Sequence, residues 1–199
     1  MDTYEQTKLA YEESAKELVK HWDSTGPRGR HIELAFRLAG TDKPVVLELG
    51  CGPGRDAALI VKKTKEYIGI DYSSGLIDIA TDKVPGGTFV LGDIVTTPFP
   101  EQRDVIIAFA SLIHLDEAKV KRVFEKAGKA LRIGGIFYVS TKDGRGTVTK
   151  SDGFGTRTYY LYKTSELVKI AGKRFMVVYK DIERIRDQDW VEVAFKRVL

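Results

Sequence analysis

The sequence predicts an α/β domain built on a doubly wound, largely parallel sheet. Three observations carry that prediction. Five short apolar runs alternate with helical stretches between residues 45 and 141, the pattern that lays parallel strands between two layers of helices. The first run, Val45, Val46, Leu47 and Leu49, passes into Gly50-Cys51-Gly52-Pro53-Gly54, and helical sequence resumes at Arg55. Residues suited to ligand contact follow the runs at 48–54, at Asp71, at Asp93 and at 109–114, and in open α/β sheets ligands bind beyond the carboxyl ends of the strands.

Composition sets the bounds. A chain of 199 residues suits one core rather than two, so a single domain over 1–199 is expected, with helices in 1–40 ahead of a sheet-bearing core in 41–199. The one cysteine, Cys51, excludes an internal disulfide and a cysteine-based metal cluster, which points to a reducing compartment. The start, M-D-T-Y-E-Q-T-K-L-A, lacks the pattern of a signal peptide, and no apolar run nears the roughly 18 residues of a membrane span. The expectation is a cytoplasmic protein with no membrane partner. With 32 basic against 28 acidic residues the net charge of +4 describes a mixed surface, so nucleic acid is not the expected partner.

Each element has its own justification. Tyr4, Tyr11, Ala15, Leu18 and Trp22 recur at steps of seven, four, three and four, one face of an amphipathic helix running to about His21. D-S-T-G-P-R-G-R breaks it, and 31–38 is a second helix. The strand at 45–49 and the glycine loop lead to a helix over 55–63, a strand over 66–70 that ends at Asp71, and a helix over 73–83. A third strand, 88–91, is followed by Gly92-Asp93-Ile94, and a fourth, 104–109, is almost wholly apolar, as a strand covered on both faces must be. A helix over 117–131, an R-I-G-G turn and a fifth strand over 136–141 follow. Residues 142–157, with four glycines, read as a long mobile loop of the functional kind. A helix over 165–171 and strands over 175–182 and 190–198 complete the chain.

The glycine loop discriminates among nucleotide ligands. A dinucleotide fingerprint counted from Gly50 needs glycine where Arg55 stands, and a phosphate loop needs Gly-Lys-Ser/Thr where the chain has Gly54-Arg55-Asp56. What remains is Glu48 two places before G-x-G-x-G, which resembles motif I of the class I S-adenosylmethionine (AdoMet) dependent methyltransferases, with I-G-I-D-Y-S resembling their second motif. AdoMet carries a sulfonium cation, so an acidic Glu48 is reasonable where a pyrophosphate would be repelled. The resemblance implies a Rossmann-like seven-stranded sheet in the order 3-2-1-4-5-7-6, its last strand antiparallel, with an N-terminal helical lid. It implies AdoMet as cofactor and S-adenosylhomocysteine as product, held by Glu48, Gly50, Cys51, Gly52, Gly54, Arg55, Asp71, Tyr72, Asp93, Ile94, Phe109 and Tyr11. Asp71 would accept both ribose hydroxyls, or else cap the next helix, a task for which Ser73 and Ser74 are at hand. Asp93 would accept the adenine amine, or else serve its own turn.

Methyl transfer is an in-line displacement from an excellent leaving group, so alignment and exclusion of water matter more than catalytic side chains. An oxygen or nitrogen acceptor must still lose a proton, and His114, at the cofactor edge of the sheet, is the candidate base; a buried structural histidine is the alternative. A-S-L-x-H-L, S-x-K-x-G and R-x-Y-Y together resemble a bacterial and archaeal subgroup of small-molecule methyltransferases. That resemblance places Lys142, Arg157, Tyr159 and Tyr160 on the acceptor side together with Tyr4, and has the N-terminal helix bearing Tyr4 and Tyr11 close over the cofactor, or else simply pack on the domain. Two cations and a phenol suit an anionic small-molecule acceptor such as a carboxylate. Competing chemistries lack their residues. F-A-S-L stands where amino-methylating nucleic-acid enzymes carry Asn/Asp-Pro-Pro-aromatic, Cys51 is in the cofactor loop, and Asp104 is at the wrong end of its strand for a metal, so none is expected. Methylation of RNA or protein, and a non-catalytic AdoMet-binding regulator, remain as alternatives.

Overall fold

The computed structural model describes residues 2–23, 26–185 and 187–199. Three helices come first: α1 (Thr3–Glu13), α2 (Ala15–Asp23) and α3 (Gly29–Ala39). The core then runs β1 (Val45–Leu49), α4 (Ala57–Ile60), β2 (Glu66–Asp71), α5 (Ser74–Lys83), β3 (Thr88–Leu91), β4 (Arg103–Phe109), α6 (Glu117–Ala130) and β5 (Leu131–Lys142). It ends with β6 (Gly146–Asp152), β7 (Gly155–Leu161), α7 (Thr164–Ala171), β8 (Phe175–Ile185) and β9 (Gln188–Arg197). Seven strands form one sheet in the order β3-β2-β1-β4-β5-β9-β8, while β6 and β7 pair only with each other. β1 to β5 are parallel and β9 is antiparallel to both β5 and β8, so the expected order holds once the β6–β7 pair is set aside.

Alternation along each strand divides two apolar layers. Val46, Val105, Ile107, Ile136, Tyr138 and Ala194 face α3 and α4, whereas Leu47, Ile106, Phe137, Val139, Val193 and Phe195 face α6 and α7. Every residue of β4 is buried, which is why its sequence runs apolar instead of alternating. At the amino ends of the strands Asp104 accepts the Val45 amide at 2.7 Å, fixing where β1 begins. No helix among the described residues is long and apolar enough to cross a membrane.

Four elements depart from the sequence reading. The N-terminal helix is two helices broken at Ser14, because its halves rest on different partners: Tyr4, Thr7 and Ala10 of α1 are buried toward β7, whereas Ala15 and Val19 of α2 cluster with Leu76 of α5. Ser24 and Thr25 of the predicted break lie outside the described residues. The helix expected over 55–63 shrinks to α4, since Lys65 must already bond the Pro44 carbonyl to start β2. R-I-G-G lies within β5, where the register slips between Arg103 and Val105, so the turn is a bulge. Residues 142–157 are no loop but most of a hairpin, paired from Gly146↔Leu161 to Asp152↔Gly155.

Candidate cofactor and acceptor site

A cavity of about 820 Å³ lies over the carboxyl ends of the central strands, roofed by α1, α2 and the β6–β7 hairpin. Its floor begins where β1 ends. Gly50 has φ of +72°, and a Cβ there would meet Ser111 Cβ at 2.5 Å, so only glycine lets the loop pass the exit of β4. The Gly50 and Cys51 amides both donate to the Ile70 carbonyl, at 2.7 and 3.1 Å, tying the loop to β2.

Glu48 is 2% exposed and accepts the Tyr67 hydroxyl at 2.6 Å. Burial, and then the neighbouring Asp56 carboxylate, push its pKa up to about 8. Asp56 accepts the Arg28 amide at 2.7 Å and the Arg28 guanidinium at 2.9 Å, with Arg55 at 3.2 Å. Arg28 lies 5.3 Å from the centre of the Phe109 ring, so a cationic wall faces Glu48.

Asp71 accepts one amide on each oxygen, Gly52 at 2.9 Å and Ser73 at 3.0 Å, which leaves further lone pairs for a ligand. Burial raises its pKa. It is not the cap of α5, because Ser73 Oγ accepts the Leu76 amide. Tyr72 sits edge-on to Tyr11 with ring centres 6.1 Å apart. Asp93 accepts both the Val95 amide and the Tyr4 hydroxyl at 2.8 Å, so it joins α1 to the end of β3. Asp93 borders a shallower depression with Lys8, Glu12 and Tyr72, whereas Ile94 lines the main cavity. Gly54 faces away from it, packed on Ala80 and Val84 of α5. Cys51 lines the floor, its thiol pKa raised by burial.

His114 stands on a single 3-10 turn after β4, 6% exposed. Its Nδ1 donates to the Thr158 carbonyl at 2.8 Å, which fixes the tautomer, and Nε2 accepts the Tyr11 hydroxyl at 2.8 Å. Burial lowers its pKa to about 4. In this arrangement both ring nitrogens of His114 are engaged, Nδ1 with β7 and Nε2 with Tyr11 of α1.

Alternation along β7 sorts the acceptor-side residues. Arg157 and Tyr159 face the cavity, while the Thr158 amide donates to Thr7 Oγ1 of α1 at 3.0 Å and Tyr160 turns outward to Thr3. Tyr160 is therefore not part of the wall. Lys142 Nζ lies 3.9 Å from the centre of the Tyr159 ring, its pKa lowered by burial and by Lys150 and Arg157. Arg157, 6% exposed, reaches both oxygens of Asp152 at 2.6 Å. Tyr4 and Tyr11 also line the cavity.

Sequence reading passed over Arg28, Asp56, Ser140, Trp190 and Glu192. Glu192 left no clear signal, because a charge alternating with Val191, Val193 and Phe195 reads as the solvent-facing side of its strand.

Comparison with known proteins agrees with this layout. A methyltransferase domain family matches residues 46–135. The Mycolicibacterium smegmatis protein named "Probable S-adenosylmethionine-dependent methyltransferase" is 34% identical over 146 residues, covering 70% of this chain and 54% of that protein. Trans-aconitate 2-methyltransferase of Variovorax paradoxus is 31% identical over 118 residues, 57% of this chain and 44% of the enzyme. The chain thus spans about half the length of these curated relatives. Among solved structures, Burkholderia thailandensis 1,6-didemethyltoxoflavin-N1-methyltransferase with bound 1,6-didemethyltoxoflavin and S-adenosylhomocysteine superposes with a TM-score of 0.80, covering 100% of this chain and 92% of that one at 15% identity. The fold is that of a Rossmann-like methyltransferase. Over residues 46–135 the chain matches a methyltransferase domain, and it is similar to S-adenosylmethionine-dependent methyltransferases.

Proposed function

We propose that the chain transfers the methyl group of AdoMet to a small molecule bearing an anionic group. One observation carries the reading: Glu48, the glycine loop and Asp71 line a single cavity with Lys142, Tyr159 and Arg157. Its volume of about 820 Å³ is near the upper end of ordinary small-molecule pockets, about 300–1,000 Å³, which suits a cofactor together with a small acceptor. AdoMet would be held through its ribose by Asp71, through its cationic half by ionised Glu48 and through its carboxylate by the Arg28 and Arg55 side of the floor, with Tyr11 and Tyr72 beside the adenosine. Lys142 and Arg157 would take the anionic group of the acceptor, and the roof would exclude water from the transfer.

Two of the relatives favour a small acceptor: one is named for trans-aconitate, a carboxylate, and one structural neighbour holds 1,6-didemethyltoxoflavin. The test is calorimetric titration with S-adenosylhomocysteine followed by radiolabelled methyl transfer to a panel of small carboxylates, phenols and amines. Binding with transfer supports the reading. Binding without transfer to any small molecule, but with transfer to RNA or protein, overturns the acceptor class, and absence of binding overturns the whole.

A further inference from the structure

Beyond the cofactor residues, the wall formed by β5 and β9 holds a chain of polar groups that neither AdoMet nor an anionic acceptor group would use. Register pairs Ser140 with Glu192, and Lys142 with Trp190, on the face turned to α3. Ser140 lines the cavity, and its hydroxyl donates to Glu192 Oε1 at 2.6 Å. Glu192 is 2% exposed, and its Oε2 has no hydrogen-bond partner among the described residues. A carboxylate oxygen of Glu192, a ring nitrogen of His31 and a carboxylate oxygen of Glu183 lie within 4.8 Å of one another, a span that one water bridges. His31 Nε2 is 3.4 Å from Glu183 Oε2, and the Glu183 side chain is 38% exposed. Polar groups therefore run from the cavity wall to the protein surface with one gap, of at most 4.8 Å, between Glu192 and the His31–Glu183 pair.

We propose that this chain is the exit path for the proton released on methyl transfer, with Ser140 at its mouth and Glu192 as its first acceptor. The proposal rests on the methyltransferase reading. The C–S bond breaks with its electron pair going to sulfur, and the acceptor oxygen or nitrogen forms the new bond to carbon. The acceptor's proton passes to Ser140 Oγ while the Ser140 hydroxyl proton passes to Glu192. From neutral Glu192 the proton leaves through His31 and Glu183 to solvent, so the roof need not open to release it. The acceptor atom must then be a hydroxyl or amine, distinct from the anionic group that Lys142 and Arg157 hold.

The surroundings poise Glu192 for this. Burial raises its pKa to about 7, opposed by Ser140 and Arg28 and reinforced by Glu183. Tyr138 of β5, Tyr179 of β8, and Arg30 with His31 of α3 complete the titratable and charged groups around it, and Asp181 of β8 faces Arg30. The fully buried Tyr138 hydroxyl makes no hydrogen bond of ordinary geometry among the described residues, but it faces Glu192 and favours its charged form. Desolvation lowers the pKa of His31, so its imidazole stays mostly neutral at pH 7 and would pass a proton on to Glu183 or solvent rather than hold it.

Glu192→Gln keeps an acceptor for the Ser140 hydroxyl but cannot take its proton. With S-adenosylhomocysteine bound, difference infrared spectroscopy of wild type against Glu192→Gln should show one protonated-carboxyl band that titrates near neutral pH and is missing from the variant. With 4-hydroxybenzoate, anthranilate and benzoate as probe acceptors, Glu192→Gln and Ser140→Ala should each lower kcat by about 10²-fold and flatten its rise through neutral pH, with affinity for S-adenosylhomocysteine unchanged. His31→Gln should slow turnover in dilute buffer and be rescued by added imidazole. An ionised Glu192 throughout the acid range overturns the proposal, as does an unchanged pH profile or methylation of benzoate alone. If no probe is methylated, the infrared titration decides. If wild type fails to bind S-adenosylhomocysteine, the methyltransferase reading has failed instead.

Discussion

Glu48 and His114 are buried titratable groups whose shifts have opposite signs, and each sign makes a prediction. Glu48 holds its proton up to about pH 8, so it must ionise before a cation can bind beside it. AdoMet affinity should rise by up to roughly tenfold per pH unit from pH 6 to 8, and Glu48→Gln should abolish that slope in calorimetric titrations. For His114 the folded pKa of about 4 lies below its ordinary 6.5. The unfolded chain therefore binds more protons between those values, so stability is present above pH 6.5 and lost as pH falls toward 4. The loss is about 3 kcal/mol, and thermal denaturation of wild type against His114→Gln isolates it. Asp71→Asn should keep much of the loop geometry but weaken S-adenosylhomocysteine binding by at least about tenfold, since hydrogen bonds to a charged group are worth about 1.5–3 kcal/mol each.

At the scale of elements, the roof depends on α1 meeting β7. Gly155 has φ of +88°, and a Cβ there would lie 2.8 Å from Ala10 Cβ. Gly155→Ala should destabilise the chain by about 1–2 kcal/mol and loosen S-adenosylhomocysteine binding, whereas an alanine at exposed Gly153, with open space around it, should do neither. Thermal melts and titrations of the two variants check this. The sheet strands were legible because each is a bounded apolar run with one dominant environment. The β6–β7 hairpin was not: exposed β6, G-T-V-T-K-S-D, has no apolar stripe, and its glycines suggested mobility. Yet Asp152-Gly153-Phe154-Gly155, flanked by the β-branched Thr147-Val148-Thr149 and by Thr156 and Thr158, was the turn signal that could have found it. The Ser14 break escaped because the stripe from Tyr4 to Trp22 is continuous in sequence although its two halves rest on different surfaces.

For the whole molecule, the sheet order and the floor of the site could be read from strand ends, because Glu48, Asp71 and Ile94 follow directly from where β1, β2 and β3 stop. The walls could not, because Arg28, Ser140, Trp190 and Glu192 converge only through contacts between segments far apart in sequence. Ligand should stabilise the assembled whole: at a hundredfold excess over its dissociation constant S-adenosylhomocysteine adds about 2.7 kcal/mol, a shift of several degrees in Tm for a chain of this size. A shift with NAD and none with S-adenosylhomocysteine would contradict the cofactor. The hairpin has a further consequence. It leaves the sheet after Lys142 and returns at Tyr162, whose amide bonds the Lys142 carbonyl at 3.1 Å, so its two ends stand side by side. Such an insert can be exchanged as a cassette between homologues, with Arg157 and Tyr159 travelling together while β1 and β2 stay untouched. Divergence of acceptor preference within a lineage would then concentrate in residues 143–161, and a chimera carrying a relative's hairpin that keeps glycine at the Gly155 contact with Ala10 should inherit that relative's acceptor preference while keeping its own affinity for AdoMet.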